Sequence, residues 1–124
     1  MRFLLFLLVL LFIAGCDGPV GAIDTENGVT AEITSGGLAV TNDRDEPIHV
    51  VAYGEWAMIY VDIAPQTTEN PGRFVGVGDR VTLPFSDSGL LRRSDSRYRV
   101  SWVTLKGPED ERYLGARGEL ELQR

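Results

Sequence analysis

The sequence predicts an all-β domain: a Greek-key sandwich of about seven short strands, with a small closed barrel as the alternative. Three observations point there. After Gly28 apolar residues recur with a period of two, as in Val29, Ala31 and Ile33 against Thr30, Glu32 and Thr34. Clusters of Gly, Pro, Asn, Asp and Ser separate the apolar runs at short intervals. No stretch beyond residue 28 carries the apolar spacing of an amphipathic helix. The chain has 124 residues, 44% of them hydrophobic, so one domain with a real core is within reach.

The elements follow in order. Ser35-Gly36-Gly37 punctuates the first strand, and Leu38 to Thr41 resumes the alternation. Asn42 to Glu46 is a polar turn ending at Pro47. Pro47 to Tyr53 and Trp56 to Ile63 read as two further strands. Pro65 to Gly72 is a loop, and Arg80 to Phe85 a strand with Val81, Leu83 and Phe85 on one face. Ser86 to Ser96 is a second loop. Arg97 to Lys106 is the longest expected strand, broken by Gly107 to Asp110. Tyr113-Leu114-Gly115 and Arg117 to Gln123 end the chain, with Leu120 and Leu122 set against Glu119 and Glu121.

Gly54-Glu55 is read as a two-residue hairpin turn of type II′, because glycine is favoured at its first position. That register sorts the flanking strands into two faces. Ile48, Val50, Ala52, Ala57, Ile59 and Val61 form an aliphatic face directed at the core. His49, Val51, Tyr53, Trp56, Met58 and Tyr60 form the opposite one. His49, Tyr53, Trp56, Met58 and Tyr60 are therefore the candidate interaction face, either for a protein partner or for stacking on a sugar ring. A competing account keeps the rings inside the molecule, covered by the 65–72 loop or by the tether.

The first sixteen residues concern targeting. Arg2 precedes the unbroken apolar run Phe3 to Ile13. Eleven residues are too few to span a bilayer, which needs about 20, and suit the apolar region of a signal peptide. Ile13-Ala14-Gly15-Cys16 then resembles the lipobox of bacterial lipoprotein precursors. The resemblance implies cleavage before Cys16 and lipid on its thiol and new amino group. Residues 1–15 are then the signal peptide, 16–28 the lipidated N-terminus and tether, and 29–124 the sandwich. It also implies a bacterial cell-envelope location, and Asp17 favours the periplasmic side of the inner membrane over the outer membrane.

Tyr98, at the start of the Arg97–Lys106 strand, is followed at two-residue steps by Val100 and Trp102. The pattern resembles the tyrosine corner of fibronectin-type and immunoglobulin sandwiches, whose tyrosine hydroxyl bonds back to upstream backbone. This makes the sandwich immunoglobulin-like, although with a single cysteine the inter-sheet disulfide is missing.

The residues offer little chemistry. His49 is the sole histidine and stands in a strand with no nucleophile motif beside it, so no enzymatic activity, metal or cofactor is expected. Asn42, Asp43, Asp45 and Glu46 could offer oxygen ligands, but they lack the calcium-loop pattern and read as a solvated turn. The net charge of −6 argues against nucleic acid, whose binding needs basic charge to displace counterions. Charge is uneven along the chain. Residues 17–72 hold ten acids and one base (−9), and residues 73–124 eight acids and ten bases (+2). Arg92, Arg93, Arg97 and Arg99 cluster around Leu90-Leu91 and are candidate contacts to anions or lipid headgroups. The expected function is that of a membrane-anchored accessory module contacting another envelope protein, with small-ligand or glycan binding as the alternative.

Overall fold

Eight strands and one short helix occupy residues 23–124, the part of the chain that the computed structural model describes. The expected signal segment, Cys16 and Asp17 lie outside these residues. In chain order the elements are β1 (Ile23–Glu26), β2 (Val29–Ile33), β3 (Gly37–Asn42), β4 (Ile48–Gly54), α1 (Glu55–Tyr60), β5 (Arg73–Val75), β6 (Arg80–Pro84), β7 (Arg97–Lys106) and β8 (Tyr113–Gln123). They form two antiparallel sheets of four strands, ordered β1-β2-β3-β6 and β5-β4-β7-β8. The chain changes sheet between β3 and β4, between β5 and β6, and between β6 and β7. The domain is an all-β sandwich.

Alternation builds the core. Val29, Ala31 and Ile33 of β2, Leu38 and Val40 of β3, and Ile48 and Val50 of β4 are all buried. Tyr98, Val100 and Trp102 of β7 meet Leu120 and Leu122 of β8 in the same cluster. At roughly 25 cal/mol per Å² of apolar surface, this burial is the main term holding the sheets together. The sheets are also latched at both sides, where open edges would invite pairing with other chains. Glu26 Oε2 accepts from the Glu119 amide at 2.8 Å, tying β1 to β8. Arg73 Nη1 donates to the Thr82 carbonyl at 3.1 Å, tying β5 to β6.

β5 is absent from the sequence reading, and two further departures stand at the ends of elements. Strand pairing begins at Ile23, inside the segment read as tether, because Asn27 and Gly28 both adopt positive φ (49° and 83°) and turn β1 onto β2. Asparagine and glycine tolerate that conformation best. The second departure is larger. Gly54-Glu55 is not a hairpin turn, and residues 55–60 are helix, not strand. Gly54 has φ −87°, whereas the first turn position of type II′ needs a positive value. The place beside Ile48, His49 and Val50 that a hairpin would fill is taken by Val75, Phe74 and Arg73 of β5. With β7 on the other side of β4, no edge is left for residues 59–61.

The aliphatic face of the expected hairpin is therefore broken up. Ala57 is buried, but Ile59 is 61% exposed. Ile59→Asp should consequently leave stability within about 0.5 kcal/mol of the parent. A urea melt displaced by several kcal/mol would contradict this placement.

The Tyr98 hydroxyl does turn back on upstream backbone. It donates to the Arg92 carbonyl at 2.7 Å, with the Asp95 carbonyl at 2.9 Å, and accepts from Arg124 Nη2 at 2.9 Å. Its ring packs against Phe85 of the opposite sheet at 5.5 Å. Tyr98→Phe keeps the packing and leaves these carbonyls short of a donor, so the unfolding free energy should fall by about 1–2 kcal/mol in urea titrations.

Candidate functional site

The five residues expected to share one face fall in two places. His49 and Tyr53 project from the outer face of β4. Trp56, Met58 and Tyr60 ride on α1, at the end of the sandwich where β4 stops.

Of the strand-borne pair only Tyr53 lines an open groove, of about 540 Å³, on the outer face of the β5-β4-β7-β8 sheet. Alternation sets its floor: Val51 and Tyr53 from β4, Ser101 and Val103 from β7. One wall is residues 63–66, which run back over the sheet between α1 and β5. Gln66 holds this wall in place, its Nε2 donating to the Pro71 carbonyl at 2.7 Å and the His49 carbonyl at 3.3 Å. The 65–72 segment thus does fold over part of the expected face. The opposite wall carries Arg117 and Glu119 of β8. Burial raises the Tyr53 pKa above that of a free phenol, so its hydroxyl is a donor at neutral pH.

His49 does not neighbour Tyr60. Its ring meets Phe74 edge-on at 5.5 Å, and its Nδ1 is buried with no partner. Burial, helped by the Arg112 charge, lowers its pKa from the usual 6.5. Because the unfolded chain then binds its proton more readily, this residue costs stability as the pH falls below about 6.5. It belongs to the packing of β5 on β4.

The four arginines separate as well. Arg99 lies on the groove side, 2.9 Å from Glu121 Oε1 through Nη2. Its Nε is 3.0 Å from Glu119 Oε1, close enough for an ion pair but not aligned for a hydrogen bond. Arg92 and Arg97 lie against α1, whereas Arg93 lies by the β2–β3 turn with Ile33, Thr34 and Ser35. The Arg92 guanidinium sits 3.5 Å above the Trp56 ring, and its Nε donates to the Gly89 carbonyl at 3.1 Å. Arg93 is 5.9 Å from the Phe85 ring, and Arg97 pairs with Glu55 at 3.2 Å. Trp56 and Tyr60 stand 5.9 Å apart.

What places α1 is Asp95, a residue the sequence reading passed over. It is 8% exposed, and its Oδ1 accepts the Trp56 amide at 3.2 Å, capping a helix that has no cap from its own N-terminal residue. A Cβ on Gly54 would stand 1.7 Å from Asp95 Oδ2, so glycine is needed there for close approach and not for turn geometry. Around α1, Ile59, Tyr60 and Leu90 are left exposed at 61%, 72% and 43%.

The acidic turn is structural. Asn42 is fully buried, and its Nδ2 donates to the Glu46 carbonyl at 2.9 Å and the Val75 carbonyl at 3.2 Å, while its Oδ1 accepts from the Arg44 amide at 3.0 Å. Glu46 pairs with Lys106 and Arg44, whose positive groups hold its carboxyl below the usual range. Among the described residues no group of three or more His, Cys, Asp or Glu is placed to hold a metal ion. Comparison with family models, with characterised proteins and with solved structures finds no match to this chain.

Proposed function

We propose that the protein is a bacterial envelope lipoprotein, anchored by lipid on Cys16, whose immunoglobulin-like domain acts as a non-catalytic module that binds another envelope protein. The observation that carries the proposal is the open groove on the outer sheet face, with Val51 and Val103 on its floor and Arg117 and Glu119 on its rim. Mixed apolar and polar lining of this kind is typical of surfaces that bind and release partners. Phe74, 58% exposed beside His49, extends apolar surface on the same face of the sheet. The immunoglobulin-like reading is supported by β2-β3-β6 facing β5-β4-β7-β8 and by the backward bond of Tyr98. The anchor reading is supported by the lipobox residues, and the inner-membrane placement by Asp17.

A photoreactive benzoylphenylalanine in place of Ser101, within the groove of the full-length protein, tests the binding. Discrete cross-linked proteins in native membranes are expected, and the same substitution at Thr30, on the outer face of the other sheet, should lack them. Equal labelling at both positions would end the proposal. The second reading, a small ligand or glycan, is favoured by the concavity of the groove and by Tyr53 and Gln66 within it. Saccharide-dependent shifts of Tyr53 and Val51 resonances, without protein cross-links at Ser101, would establish that reading instead.

A further inference from the structure

We infer that the α1 end of the sandwich docks on the bilayer, with Trp56, Ile59, Tyr60 and Leu90 in the interfacial layer and Arg92 and Arg93 on anionic lipid headgroups. The inference rests on the proposed lipid anchor at Cys16.

The topology brings the anchor and the patch to one end. Ile23, where β1 starts, lies opposite Glu32, near the turn that joins β2 to β3. Gly37, on the far side of that turn, pairs with Pro84. The next residue, Phe85, stacks on Tyr98, and Tyr98 pairs with Gly54, which leads into α1. The chain from the lipid therefore enters the domain at the end that carries α1 and the 86–96 loop. Ile23 follows Cys16 by seven residues, a span of at most about 25 Å when fully extended. This end is held within that distance of the membrane.

Its chemistry suits the place. Tryptophan and tyrosine favour the headgroup level, where an apolar ring and a polar edge are both accommodated. Ile59 and Tyr60 are the most exposed large apolar side chains of α1, and Leu90 continues the patch from the 86–96 loop. Arg92, stacked on Trp56, and Arg93, exposed by the β2–β3 turn near which β1 starts, put positive charge at this end. The Arg97 charge is shared with Glu55 and Asp95 is buried beneath α1, so the exposed Asp62 and Asp87 are balanced here by Arg92 and Arg93. The far end is acidic in balance, since Asp43, Asp45, Glu46, Glu109, Asp110 and Glu111 outnumber Arg44, Lys106 and Arg112 there. An anionic surface would repel the far end more than this one, which orients the domain.

The chain's two tryptophans supply the test, because Trp102 is 1% exposed in the core while Trp56 lies in the patch. The full-length lipidated protein is reconstituted into phosphatidylcholine–phosphatidylglycerol vesicles with brominated acyl chains, and quenching of its fluorescence is measured. Intact mass in the same preparation reports lipid on Cys16. Trp56 should be quenched and Trp102 should not, so that Trp56→Phe removes the quenched component. Ile59→Ser with Tyr60→Ser, which alters exposed positions only, should reduce quenching of Trp56. Arg93→Ser should shift the docking equilibrium about fivefold toward release, and raised salt should mimic it. Lipid on Cys16 with Trp56 unquenched would overturn docking and leave the anchor standing. A Cys16 without lipid would remove the anchor and the inference with it. Protection of Trp56 by a protein in native membranes, without quenching in vesicles, would make this end a protein interface and also overturn the inference.

Discussion

Trp102→Ala should lower the unfolding free energy by about 3–5 kcal/mol, a large share of the 5–15 kcal/mol typical of a domain. The indole fills the space between the sheets, and two neighbours are fitted to it. Gly118 pairs with Trp102 across β7 and β8, and a Cβ there would stand 2.5 Å from the indole nitrogen. On another side the Arg44 guanidinium sits 4.6 Å from the ring centre. Arg44 is itself tied to the Asn27 carbonyl at 3.0 Å and to Glu46 at 3.2 Å, so the indole supports the turns that join β1 to β2 and β3 to β4. Removing it leaves a cavity and strips an apolar contact from a largely buried charge. Urea titration followed by far-UV circular dichroism reads the loss without relying on the deleted fluorophore. A double-mutant cycle makes the argument specific. Gly118→Ala should be clearly destabilising in the parent and close to neutral in Trp102→Ala, because the clash disappears with the indole. Equal cost in both backgrounds would mean that the glycine serves something other than the indole.

The second large effect is expected at Asn42. Asn42→Ala deletes a buried amide that joins the 43–46 turn to the end of β5, and leaves the Glu46 and Val75 carbonyls and the Arg44 amide short of a partner. Unsatisfied buried groups cost about 1–3 kcal/mol each, and water can reach the turn from one side, so a loss of about 2–4 kcal/mol is expected. Asn42→Asp separates geometry from chemistry. It keeps the acceptor for the Arg44 amide but sets a carboxylate against two carbonyls, so it should be no better tolerated than alanine at neutral pH. A melt of either variant within 0.5 kcal/mol of the parent (roughly the scatter of surface substitutions) would refute the bridging role.

Much of the fold was legible in the residues. β2, β3, β6 and β7 stand close to where alternation placed them, because each buries one face and a one-residue slip would turn that face to water. The Asn27-Gly28 dipeptide also carried a hairpin signal, and reading those residues as tether passed over it. Tyr98 was legible as well, since a hydroxyl at the start of a buried strand must find its partner in nearby backbone.

Residues 55–63 were not legible, and their alternation pointed the wrong way. Glu-Trp-Ala-Met-Ile-Tyr can place its apolar side chains acceptably as strand or as helix, and over so short a stretch local preference decides little. The outcome was set from a distance: β5 and β7 occupy both edges of β4, and Asp95, 39 residues further on, supplies the helix cap. The candidate site divided for the same reason. Sequence alone determined the all-β class and most inward-facing positions, since these depend on composition and period. Only the tertiary structure decided that Trp56 and Tyr60 share an end with Arg92 while Tyr53 lines a groove with Arg99. Pairing across sheets depends on which edges remain unfilled once the strands have assembled, and no local pattern records that.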